Sequence, residues 1–280
     1  QADVGSAAFA GVDGVTLSVS GLRVEVNRVS GADAAQVADF SAAPFEVRVG
    51  SAERVTLNLN GALGQLTRAV GSVTLAVSDF FRVEGAFSFQ RHNQSVTLNT
   101  GETVSSEVLS IGASGLSAFA GAGPATSPGA LGLSLGNVNV ALAIVSASGA
   151  TDSRIWTALK ADAGTVALVG VGPGLNLAVR DLAVEVNRGN SAAGSTVLDL
   201  AATAITVNVG GGNDVVFDFA GADGTLLRAA GNVTLTVDDF FHVHGGLAFE
   251  RSSETIRLSD GTSVDTNLLT IGASNGLTAF

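Results

Sequence analysis

Six pairs of charged residues recur at a spacing of 160 positions: Glu25 and Glu185, Arg28 and Arg188, Asp39 and Asp199, Arg68 and Arg228, Asp79 and Asp239, Arg91 and Arg251. Carboxylates held at a fixed spacing can ligate a cation or grip a ligand. The same groups can instead be structural, pairing with arginines across strands or accepting backbone N–H groups at bends. The structural role is the expectation here. Asp79 and Asp239 precede Phe80-Phe81 and Phe240-Phe241, at a kink where a carboxylate can accept N–H groups that a bulge leaves unpaired. The Phe pairs are expected to anchor the core, one ring on each face.

Calcium is the sharper alternative, because it takes several oxygen ligands and turns supply them readily. Gly210-Gly211-Gly212-Asn213-Asp214-Val215-Val216 resembles one degenerate copy of the glycine- and aspartate-rich nonapeptide of the RTX (repeats-in-toxin) family, whose repeats bind calcium in a parallel β-roll. The resemblance implies Asn213 and Asp214 as candidate Ca2+ ligands, and Asp218 is a further turn carboxylate that could join them. Its counterpart, Gly50-Ser51-Ala52-Glu53-Arg54-Val55, has lost the glycines and gained an arginine, so no series of such sites is expected. His242 and His244, two apart on a strand, have zinc-compatible spacing. Arg82 and Glu84 stand at their counterparts, and only His92 remains elsewhere, so exposed histidines are expected. No catalytic constellation emerges: the three histidines lie outside any Gly-x-Ser-x-Gly turn, and no glycine-rich phosphate loop opens a helix. The chain is not expected to be an enzyme, and calcium is the one cofactor considered.

The elements that would position these residues come from a repeat. RAVGSVTLAVSDFFRVEGAFSFQR (68–91) matches RAAGNVTLTVDDFFHVHGGLAFER (228–251), and the same offset aligns Val15–Arg28 with Leu175–Arg188. This divides the chain into a first unit, 1–160, of three β modules of about 50–60 residues each, and a second, shorter unit, 161–280. Phe280 corresponds to Phe119, and ADVGSAAFAGV near the start matches 161–171; the sequence therefore reads as a window on a longer tandem array.

Within the modules the apolar residues alternate, as in Val15, Leu17, Val19 and in Val73, Leu75, Val77, which is strand periodicity. The parity then shifts by one at Leu22, Val24, Val26, and again between Val179 and Leu182. Such a shift predicts a β-bulge or corner at Gly21 and Asp181. Only Ser153–Ala161 has helical spacing. The fold class is all-β: a tandem array built as a β-solenoid or superhelical sheet, with chained antiparallel β-sandwich modules as the alternative.

Composition sets the remaining bounds. Hydrophobic residues make up 46% of the chain and charged residues 14%, which excludes a disordered segment. With no cysteine a disulfide scaffold is excluded too. No apolar run is long enough for a membrane-spanning helix, and a net charge of −11 disfavours nucleic acid as partner. In composition and repeat style the chain resembles the giant tandem-repeat surface and secreted proteins of bacteria, adhesins and fibres among them. That resemblance implies an extracellular or cell-surface location and a structural segment of a filament, stalk or adhesin. Its partners would be copies of itself, adjacent repeats, or a cell-surface or carbohydrate ligand. Two other tasks stay open, a calcium- or carbohydrate-binding module and an elongated groove for lipids.

Overall fold

A computed structural model describes residues 1–9, 15–30, 36–78, 81–123, 129–172, 174–238 and 240–279. They form fifteen strands: β1 (Ala2–Phe9), β2 (Val15–Asn27), β3 (Phe45–Arg48), β4 (Arg54–Leu57), β5 (Leu66–Val77), β6 (Phe81–Thr97), β7 (Thr103–Ala122), β8 (Leu131–Ala147), β9 (Ile155–Val169), β10 (Leu175–Gly189), β11 (Ile205–Gly210), β12 (Asn213–Phe217), β13 (Leu226–Val237), β14 (Phe241–Arg257) and β15 (Ser263–Ala279). Among the described residues there is no α-helix, only three short 3-10 turns. The chain is all-β.

Eleven strands make one open antiparallel sheet in the order β1-β2-β5-β6-β7-β8-β9-β10-β13-β14-β15. The remaining four form two hairpins, β3–β4 and β11–β12, inserted after β2 and after β10. Pairing registers agree across the 160-residue offset: Leu17 faces Leu75 as Leu177 faces Leu235, and Glu25 faces Arg68 as Glu185 faces Arg228.

A crease crosses the sheet where the sequence shifts parity. Gly21 (φ +59°) and Asp181 (φ +52°) sit at register shifts in β2 and β10. Gly115 (φ +59°) and Asn137 (φ +52°) occupy the same line in β7 and β8. The left-handed conformation admits glycine freely and Asp or Asn at modest cost, and Asn232 Nδ2 donates to Asp181 Oδ2 at 3.3 Å. The extra residue restores the facing of the strand. Leu17 and Val19 before the bulge therefore share a face with Leu22 and Val24 after it.

In β6 to β9 the half of the strand beyond the crease is covered on the opposite face. Hairpin β11–β12 lies across β6, β7, β8 and β9 and closes an apolar core with Val96, Val104, Val108, Val145 and Trp156 from the sheet and Leu98 just after β6. Ile205, Val207, Val209 and Phe217 of the hairpin are at most 2% exposed. At roughly 1.5–3 kcal/mol per buried side chain, these four alone contribute on the order of 6–12 kcal/mol before ordering entropy. The loop 190–204 ties the hairpin down: Asn99 N donates to Val197 O (3.0 Å), Asp199 N to Thr97 O (2.8 Å), and Trp156 Nε1 to Thr196 O (3.2 Å). The closest approach is at Gly112. A Cβ there would overlap Asn208 O and lie 2.6 Å from Val209 Cα.

Two expectations are corrected. Ser153–Ala161 is not helical but enters strand β9. Its alternation is disguised because both faces meet apolar neighbours, Trp156 and Ala158 buried under the hairpin and Leu159 paired with Leu142 and Val186 on the other side. The Phe pairs are not core anchors either, since Phe240 is 88% exposed and Phe81 and Phe241 are exposed as well. They sit at the strand ends farthest from the hairpin; Phe80 lies outside the described residues.

Candidate functional site

Four of the twelve repeated charges pair with one another, Glu25 with Arg68 and Glu185 with Arg228. Glu25, 2% exposed, accepts from Arg68 Nε (2.6 Å) and pairs with Arg68 Nη2 (2.5 Å). In the second copy Arg228 bridges two carboxylates, Glu185 (3.0 Å) and Glu250 (2.7 Å), where the first copy has Gln90 in place of Glu250. Its guanidinium is held above the usual arginine range by the Glu250 hydrogen bond first, against the opposing effect of burial. Asp39 accepts from Ser41 N, Ser41 Oγ and Gly61 N. Asp199 accepts from Ala202 N and Gly221 N. Each thus ties the loop before a hairpin to the turn after it. The Ser41 hydroxyl and then the Gly61 N–H hold the Asp39 carboxyl below its usual value. Asp79 and Asp239 lie outside the described residues.

Both carboxylates among the calcium candidates already have partners. Asp218 Oδ1 is 2.5 Å from Lys160 Nζ, whose hydrogen bond and charge lower the carboxyl's pKa, and Asp214 Oδ1 accepts from Asn208 Nδ2 at 2.8 Å. Asn213 sits exposed at the start of β12. Among the described residues no group of three or more His, Asp or Glu side chains is arranged to hold a metal ion. His242 and His244 stack at 6.5 Å on one face of β14, each ring nitrogen Nδ1 3.0 Å from a threonine hydroxyl of β13.

What the fold assembles instead is an apolar face. On the side of the sheet away from the hairpins, one cross-strand row runs Leu17, Leu75, Val83, Ala118, Leu135, Val166, Val179, Val233. Beyond the crease a second runs Val24, Ala69, Phe89, Ile111, Leu142, Leu159, Val186, Leu227. The reverse side of the first half carries Thr16, Ser18, Thr74, Arg82, Glu84, Ser117 and Ser134 in the alternate positions, with the buried Phe119 between Arg82 and Ser134, so it is the more polar of the two faces. Among the described residues nothing covers the apolar face, and Val26, Phe87, Leu227 and Phe249 are 37–50% exposed on it.

This face is concave where the two units meet. Side chains from six consecutive strands of the sheet, β8 to β10 and β13 to β15, line one cavity of about 610 Å³: Leu142, Leu159, Val186, Leu227, and at its polar end Arg188, Arg251 and Asn267. Among the described residues neither Arg188 nor Arg251 has a hydrogen-bond or ion-pair partner. The counterpart in the first unit is different. There Arg28 donates to Thr67 Oγ1 (2.8 Å), Arg91 pairs with Glu107 (2.5 Å), and the cavity is about 230 Å³ with a polar lining. Thr67 becomes Leu227 and Glu107 becomes Asn267 in the second unit, which removes the partners that hold Arg28 and Arg91 and puts an apolar side chain on the cavity wall.

No family model, curated protein or solved structure matches the chain.

Of the sequence-predicted residues, the structure brings Glu25 to Arg68, Glu185 to Arg228, and Arg188 to the cavity of Arg251. Sequence reading missed Lys160, Trp156, Leu159 and Leu227. Alternation alone could have placed Leu159 and Leu227 on one face; Lys160 and Trp156 carried no local signal, because their partners lie 40 to 58 residues away.

Proposed function

We propose that the chain is a stretch of an elongated, extracellular β-repeat scaffold whose concave sheet face shelters acyl chains. The observation that carries the reading is the uncovered apolar face, whose two rows run across eight neighbouring strands of the sheet, β2 to β13. Soluble proteins rarely expose contiguous apolar patches beyond a few hundred Å² unless something binds there. A cavity of about 610 Å³ falls within the ~300–1,000 Å³ of small-molecule sites. Two unpaired arginines at its polar end suit an anionic headgroup, since guanidinium forks match carboxylate and phosphate. The superhelical-array reading of the fold is part of this proposal, and matching registers 160 residues apart support it.

Native mass spectrometry of the purified chain, with organic extraction of the same sample, tests the reading. Bound single-chain fatty acid or lysophospholipid is expected, displaceable by a fluorescent acyl probe. Leu159→Glu, which puts a carboxylate among the apolar rows, should weaken probe binding at least tenfold. A chain that purifies empty and fails to bind the probe would leave a purely mechanical stalk, the second reading, which the hairpin clamp across the sheet favours.

A further inference from the structure

The hairpin joint is formed once in this chain, and each of its two halves recurs without the other. In the formed joint β11–β12 covers β6–β7, with Gly112 at the contact. The sheet half recurs 160 residues on, in β14–β15, and the hairpin half 160 residues earlier, in β3–β4, and both are exposed. On the sheet side, Val96, Leu98, Val104 and Val108 are 0–7% exposed, whereas their counterparts Ile256, Leu258, Val264 and Leu268 are 36–46% exposed. Gly272, the counterpart of Gly112, has nothing within 4 Å of a Cβ placed on it. On the hairpin side, Ile205, Val207 and Val209 are 0–2% exposed and Phe45, Val47 and Val49 are 37–56% exposed.

We infer that hairpin β3–β4 of a second copy of this chain docks on the β14–β15 face, in the pose that β11–β12 takes on β6–β7. The occupant follows from the internal joint. At the apolar contact positions named above an apolar residue replaces an apolar residue and Gly replaces Gly, whereas the polar links differ: Gln94 to Ala204 and Thr97 to Thr203 have Glu254 with Pro44 and Arg257 with Ala43 at their counterparts. The backbone links of the template, from 97 and 99 to 197 and 199, have counterparts at 257, 259, 37 and 39 that any side chains permit. Ser114 Oγ donates to Gly210 O at 3.2 Å, and Ser274 and Gly50 repeat that pair.

The joint between copies is weaker than the internal one. Trp156 to Thr196 and Lys160 to Asp218 come from β9, and β14–β15 supply only the β6–β7 part of the face. In this pose the place of β8 stays open, so β15 and the partner's β1 stand two strand spacings apart, about 10 Å. The association is therefore made face-on by the hairpin, without edge pairing. It joins two different surfaces and does not close on itself, so it propagates as an open, head-to-tail rod. It uses the face opposite the acyl trough and goes beyond the function proposed above; its failure would leave that reading standing.

Sedimentation velocity across a concentration series tests this with two variants at positions exposed in the single chain. Gly272→Val fills the contact point on the sheet side, and Val47→Glu charges the hairpin side. Wild type is expected to show a weight-average mass that rises with concentration past the dimer. Each variant alone should associate at least tenfold more weakly, with an unchanged melting temperature. An equimolar mixture should form a dimer and stop there, because Gly272→Val retains a sound hairpin and Val47→Glu retains a sound face. A wild-type chain monomeric at 100 µM and above, variants that associate as wild type does, or a mixture that stays monomeric would overturn the inference.

Discussion

Replacing Gly112 by alanine, with Gly272 replaced in parallel, probes the hairpin joint with one methyl group at two equivalent positions. At Gly112 the new Cβ would start 2.6 Å from Val209 Cα and overlap Asn208 O, whereas ordinary contact begins near 3.4 Å. The hairpin must therefore rise by about 0.8 Å or more, and a radial gap of ~0.5–1 Å forfeits a quarter to a half of the dispersion well. Ile205, Val207, Val209 and Phe217 share that gap. Losing a third of the roughly 6–12 kcal/mol their burial supplies gives a cost of about 2–4 kcal/mol. At ~2–4 °C per kcal/mol for a chain of this size, the melting temperature should fall by about 4–16 °C. At Gly272 no atom is within 4 Å, so alanine there should change stability by less than ~0.5 kcal/mol. Chemical denaturation of both variants, with hydrogen exchange followed on β11 and β12, reads the result. A Gly112→Ala cost under about 0.5 kcal/mol, equal to that at Gly272, would refute the placement of the hairpin.

Arg68→Ala leaves Glu25 without its cation at 2% exposure and should cost about 3–5 kcal/mol, while the apolar pair Glu25→Leu with Arg68→Met should be near neutral or stabilising; urea unfolding of the single and double variants separates the two. His92 is buried and its pKa is lowered, by burial first and against a Gln94 hydrogen bond. The unfolded chain therefore takes up a proton there before the folded one does, and stability should fall as pH drops through the unfolded value of about 6.5. His92→Gln should flatten that part of a melting-temperature profile between pH 7 and pH 5, and an unchanged slope would remove His92 as its source.

Much of the fold was legible because strand periodicity is a local signal. The alternation of Val15 to Val19 and its shift at Leu22 located a bulge that Gly21 and Asp181 make with positive φ. The pairing of Glu25 with Arg68 was foreseeable as a structural ion pair, although not which residues would partner. Trp156 misled the reading because β9 carries apolar residues on both faces, Trp156 and Ala158 under the hairpin and Leu159 on the uncovered side, and a strand apolar on both sides loses its alternation. The candidate site was less visible. Arg188 and Arg251 appear in the sequence as repeat-retained charges, and the loss of their partners, Thr67 to Leu227 and Glu107 to Asn267, matters only once the strands carrying them stand side by side.

By itself the sequence determined the strand class, the 160-residue recurrence, the corners and the sorting of apolar from polar residues along each strand, because these depend on near neighbours and on a period of two. The tertiary structure decided which way the sheet closes on its hairpins, which glycine must stay bare, and where an apolar face is left concave and edged by free arginines. The physical reason is separation in the chain: Gly112 meets Asn208, and Leu142 shares a cavity with Asn267, through contacts that no local pattern encodes.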